Sequence, residues 1–178
     1  MNNRFVAPRA WMNADGTAHA NSTTEAILNG AGFPLPAETF RDGKILRLTA
    51  FGKYSATGTP TGTWTIRLTN AAGTLLATSE ALTLAAVTNG NWSLEAYIVS
   101  RSLLSSSGSL LVMGHLFVHT AAGTVLVNVF GVSGWDAPAN VGSIDFTAAQ
   151  VLCLCFDWSA ADAANTITCM IANLEDLN

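Results

Sequence analysis

Charge is scarce in this chain, and positive charge is absent altogether after Arg101. Asp, Glu, Lys and Arg make up 11% of the 178 residues, where a soluble domain usually carries about a quarter. All eight cations lie at or before Arg101 with six of the twelve acids, and the other six acids follow it. From Ser102 to Trp135 there is no charged residue. A formal net charge of -4 with a pI near 5.1 argues against a nucleic-acid partner, because such surfaces are normally basic. No apolar run reaches the ~20 residues of a membrane-spanning helix. Met1 to Pro8 lacks the apolar centre of a signal peptide, so neither a membrane partner nor export is expected. The expected compartment of assembly is the cytoplasm.

Cysteine is also sparse. Cys153, Cys155 and Cys169 are the three in the chain, an odd number in a chain too large to need staples. Cys153 and Cys155 would point to one face of a strand, a poor geometry for a mutual disulfide, so buried free thiols are expected. Catalytic signatures are missing as well. Gly131-Val132-Ser133-Gly134 is a glycine-flanked turn rather than a nucleophile elbow. No phosphate-binding or dinucleotide loop occurs. Asp136, Asp145, Asp157 and Asp162 are scattered, whereas a glycosidase needs paired carboxylates about 5–10 Å apart. The chain is not expected to be an enzyme or to hold a cofactor.

What remains is Thr, Val, Ser, Gly, Asn and Ala, a mixture suited to short strands and turns. Residues 1–40 show no sustained period and predict an extended arm carrying Phe5, Trp11 and Phe33, with a short helical turn near Thr24 to Leu28. From Lys44 strands follow at 8–12-residue spacing, about nine or ten of them. They are expected at Ile45–Tyr54, Trp64–Thr69, Thr74–Ser79, Ala81–Ala85, Trp92–Leu103, Leu110–Thr120, Thr124–Phe130, Ile144–Thr147, Val151–Trp158 and Thr166–Leu174, with a break at Asn89-Gly90-Asn91. Alternation turns Trp64, Ile66 and Leu68 inward, and likewise Trp92, Leu94, Ala96 and Ile98. The pattern predicts an all-β antiparallel sandwich, a jelly roll, over 41–178, preceded by the arm over 1–40.

His115 and His119 sit four apart, but in an alternating strand that separates them by roughly 13 Å. One ion cannot bind both, so no intrachain metal site is expected; a metal shared by one histidine from each of three subunits is the narrower alternative. Alternation instead gives the strand two unlike faces. Leu116 and Val118 belong to the core. His115, Phe117 and His119 lie opposite, where an uncharged span fits an interface between copies of the chain. Of the five tryptophans, Trp64, Trp92 and Trp158 are expected in the core. Trp135, in a Gly-Trp-Asp loop, is either folded onto the sandwich end or exposed as a stacking surface for a sugar.

The run Phe33-Pro34-Leu35-Pro36-Ala37-Glu38-Thr39-Phe40, followed by Asp42-Gly43-Lys44-Ile45-Leu46-Arg47-Leu48-Thr49-Ala50-Phe51-Gly52-Lys53-Tyr54-Ser55, resembles the opening of jelly-roll virion structural proteins of tailed bacteriophages. Thr65-Ile66-Arg67-Leu68 and Asn165 to Leu174 are similar too, so the resemblance spans Phe33 to Leu174. It implies capsid decoration (cement) proteins or tail-fibre modules, often trimers with a tumour-necrosis-factor-like sandwich. On that resemblance the chain is expected to be a homotrimer on a phage capsid. It would meet the major capsid protein through Phe5, Trp11 and Phe33, in a virion assembled in the host cytoplasm. The alternative is a receptor-binding module contacting host glycan, with Trp135 as the contact.

Overall fold

A computed structural model describes residues 7–121, 124–131 and 140–178. They form thirteen strands: β1 (Ala7–Trp11), β2 (His19–Ala20), β3 (Ala26–Leu35), β4 (Ile45–Ala56), β5 (Thr61–Leu68), β6 (Leu75–Thr78), β7 (Leu82–Thr83), β8 (Val87–Ser100), β9 (Gly108–Ala121), β10 (Thr124–Phe130), β11 (Asn140–Ile144), β12 (Gln150–Trp158) and β13 (Thr166–Asp176). No helix occurs among the described residues. The large sheet runs β1-β13-β4-β8-β9-β10, with β2 beside β13 and β11 beside β9; the small sheet runs β3-β12-β5-β6, with β7 beside β5. The pairings in both sheets are antiparallel. The chain passes back and forth between the sheets, so that β12 returns between β3 and β5 while β13 returns beside β4. That interleaving makes the sandwich a jelly roll.

Alternating apolar residues build the core between the sheets. Trp64, Trp92, Trp158, Phe33, Phe130, Phe146 and Phe156 are all fully buried there. Phe156 stands edge-on to Trp64 at 4.6 Å and to Trp158 at 4.8 Å between ring centroids. Each such ring removed from water stabilises the fold by roughly 1.5–3 kcal/mol, and each edge-to-face pair adds about 0.5–1.5 kcal/mol.

Three expectations need correction. Residues 7–35 do not stand off as an arm, and 24–28 form no helical turn. β1 pairs with β13, and β3 is the outer strand of the small sheet against β12. Leu28, Ala31, Phe33 and Leu35 are fully buried. The period was hidden because β3 changes register between its pairings with Cys153 and Cys155, with Gly30 at a φ of 83° at the irregularity. The break expected at Asn89-Gly90-Asn91 is also absent. β8 runs through it, with Asn89 in the left-handed region and a register shift opposite, between Tyr54 and Ala56. Asparagine tolerates that conformation because its side chain can bond locally.

The three cysteines are free and buried. Burial pushes the Cys155 and Cys169 thiols up to about 12, so they are inert packing groups rather than nucleophiles.

Candidate functional site

The two sides of β9 divide as its alternation predicts. Leu110, Val112, Leu116 and Val118 are fully buried, while Met113 is half exposed and His115 and His119 are exposed, with Phe117 half-buried between them. Gly114 allows β8 and β9 to come together, since a Cβ there would lie 2.6 Å from the Ala96 Cα. The His115 and Phe117 rings meet edge to face at 5.0 Å.

Register then extends this side of β9 across the whole large sheet. Residues directly opposite one another on antiparallel strands share a face. One row therefore runs Ile171, Phe51, Ser93, Phe117, Val127. The next runs Trp11, Asn173, Thr49, Glu95, His115, Val129. At about 4.8 Å per strand spacing, six strands make a face roughly 24 Å across. Trp11 is 64% exposed, Val127 60%, Ile171 56% and Phe51 48%. Scattered exposed apolar side chains are ordinary, but a contiguous patch marks a surface that meets something.

The charges gather mainly beside these rows. Arg47 pairs with Glu175 at the flank, and this hydrogen bond holds its guanidinium pKa above the usual range. Tyr97 donates its hydroxyl proton to Glu95 at 2.6 Å, a bond that raises the tyrosine pKa. Glu95 is thus the one charge inside the two rows, and it is already hydrogen-bonded. A hollow of about 330 Å³ opens among Phe51, Asn91, Ser93, His119 and Ile171. A second of about 610 Å³ lies near the β3–β4 connection, lined by Arg9, Glu38, Arg41, Asp42, Lys44 and Asn178. Its cations are each paired: Lys44 and Arg9 with Asp176, which lies outside the lining, and Arg41 with Glu38. Among the described residues no three His, Cys, Asp or Glu side chains gather as metal ligands would.

The structure thus brings His115, Phe117, His119 and Trp11 onto one face. It removes Phe33, which is buried in the small sheet against Leu152 of β12 and cannot reach another molecule. Phe5 and Trp135 lie outside the described residues. Phe51 and Ile171 were missed as members of the face. Their strand alternation was readable, but a neighbour 120 residues away in sequence was not.

No protein-family model matches the chain, and no curated protein matches it. A solved structure, the CBM2 module of the evolved Dit of Lactobacillus casei BL23 phage J-1, matches over 83% of this chain and 69% of that one, at 10% identity and a TM-score of 0.33. A likeness that slight carries no argument about function.

Proposed function

We propose that this chain is a structural subunit of a tailed-phage virion that acts through surface association rather than chemistry. Its concrete form is a capsid decoration protein that trimerises on the shell, meets the major capsid protein, and stabilises both by burying apolar area. One observation carries the associative role: two adjoining cross-strand rows, led by Phe51, Phe117, Ile171, Val127 and Trp11, lie open on one sheet face with a single engaged charge among them. The virion setting rests on the resemblance of the Phe33–Ser55 run, together with the jelly roll that this resemblance implied.

The capsid-contacting role assigned to an arm now falls to Trp11, because Phe33 is core. Deleting residues 1–40 is for the same reason no test of attachment, since it would remove β3 from the small sheet. The test is sedimentation of the purified chain, wild type against Phe117→Asp, followed by binding of each to purified shells. Phe117→Asp is expected to stay folded and lose the trimer, and Trp11→Ala to lose shell binding while keeping the trimer. A wild-type monomer at every concentration would overturn the associative reading.

A second reading draws on the hollow beside Phe51. A half-exposed ring next to Asn91, Ser93 and His119 is a surface on which a sugar ring could stack and hydrogen-bond. Glycan binding by the wild type that is lost in Phe51→Ala, with oligomeric state unchanged, would favour a receptor-binding module instead.

A further inference from the structure

Among the described residues, the large sheet ends in an unpaired strand edge that offers a second surface, separate from the apolar face. β10 pairs with β9 on one side. On its other side, among the described residues, its end meets the small sheet at Gly131, whose carbonyl accepts from Thr78 N–H at 2.7 Å and whose N–H points to the Thr78 carbonyl. Gly131 therefore turns both backbone groups away from β9. Hydrogen-bonding direction alternates along a strand, and β10 keeps regular register from Val125 to Phe130. The N–H and C=O groups of Val125, Val127 and Val129 consequently face the open edge, while those of Leu126, Asn128 and Phe130 serve the ladder to β9.

Strand edges are normally blunted by charge, proline, irregularity or shortness. The other edges here follow that rule. β1 has five residues with a proline, an arginine and a register shift between Pro8 and Ala10. β3 carries Pro34, Gly30 and a register shift. β6 has four residues and β7 two, and β11 shifts register between Val141 and Ile144. β10, reading Thr-Val-Leu-Val-Asn-Val-Phe, has no proline, glycine or charge, and its register shift is confined to its first step, between Thr124 and Val125.

We infer that β10 pairs antiparallel with β10 of a second copy across a two-fold axis at Val127, joining two large sheets into one. The sequence is self-complementary for this occupant. Val127 would oppose its own counterpart, and Val125 would oppose the counterpart of Val129, so the exposed side reads valine to valine throughout. Every outward N–H and C=O of the three valines gains a partner, and no charge meets a like charge. The row Ile171-Phe51-Ser93-Phe117-Val127 continues across the axis into its symmetry mate. A two-fold contact of this kind is isologous and closes on itself. It does not depend on the apolar face being an interface.

The experiment combines sedimentation over a dilution series with residue-resolved amide hydrogen exchange on the full chain. At high concentration the amides of Val125, Val127 and Val129 should be protected, and dilution should expose them while Leu126, Asn128 and Phe130 stay protected. Val127→Pro removes an outward N–H and none used by β9, and should halve the sedimenting mass. Val127→Ala keeps the N–H and should leave the mass unchanged. Equal masses for the two variants, or unprotected Val125, Val127 and Val129 amides at every concentration, would overturn the inference. If Val127→Pro does not fold, the wild-type exchange pattern decides by itself. Phe117→Asp separates the two surfaces: it should break contacts through the face and leave the β10 amides protected at high concentration.

Discussion

The outward sides of the two sheets are built from similar strands yet end in opposite states. On the small sheet, Cys153 and Cys155 point away from the core between inward Leu152, Leu154 and Phe156, and both are fully buried. Polar groups of the same chain close over that region. Glu25 accepts two hydrogen bonds from Arg67, at 2.7 and 2.8 Å, and one from Thr65. This cover has a cost: burial pushes the Asp157 carboxyl up and the His19 imidazole down, and their mutual attraction only partly offsets it. On the large sheet, Phe51, Phe117, Val127 and Ile171 have no such cover among the described residues. The difference shows that the fold can hide an outward sheet face by itself, and that among the described residues nothing hides the large sheet's face in this way. An apolar face left open beside one carefully covered is what an associating subunit requires.

The comparison breaks most sharply if one substitution is placed on both sides. Cys155→Asp would bury a carboxylate next to Glu25, a cost of several kcal/mol, and is expected to abolish the cooperative melt. Phe117→Asp, on the outward side of β9, should leave the melting temperature of the monomer within a few degrees of wild type. Equal losses of stability on the two sheets would sink the claim that only one face is internally covered.

A smaller effect is expected from the cover itself. Arg67→Ala leaves Glu25 partly buried without its bidentate partner and should cost about 1–3 kcal/mol in a denaturant titration. Its association state should not change, because the lesion lies on the side away from the large-sheet face.

The smallest effect concerns the rim near the large sheet's end. Burial raises the Asp176 carboxyl, but the bonds from Lys44 and Arg9 together outweigh this and hold its pKa below the ordinary carboxylate value of 3.8. The unfolded chain then takes up this proton at higher pH than the folded chain does. The stabilisation is complete at pH values above the unfolded pKa and is lost as pH falls through 3.8 and below. Asp176→Asn should flatten that acid limb in urea titrations between pH 5 and pH 2, with oligomeric state at neutral pH unaffected. An unchanged acid limb would place the acid sensitivity elsewhere.

Legibility in the sequence followed locality. The alternation of Leu116 and Val118 against His115, Phe117 and His119 separates core from surface without any tertiary information, because side chains in a strand point alternately to its two faces. The inward Trp64, Trp92 and Trp158 and the unpaired cysteines followed from the same rule. β3 did not, since its register change around Gly30 breaks the period that would reveal a strand, and the pairing that stabilises it lies with β12 at the far end of the chain.

Sequence alone determined the all-β class, the inside and outside of β5, β8 and β9, and a charge-free span from Ser102 to Trp135. Each is a property of neighbouring residues and needs no partner strand. Only the tertiary structure decided that Phe33 is core while Trp11 is surface, that Phe51 and Ile171 align with Phe117 in one row, and that β10, within the charge-free span, is a sheet edge among the described residues. Those outcomes depend on which distant strands pair and in what register, and the burial that selects the register is a property of the whole sandwich.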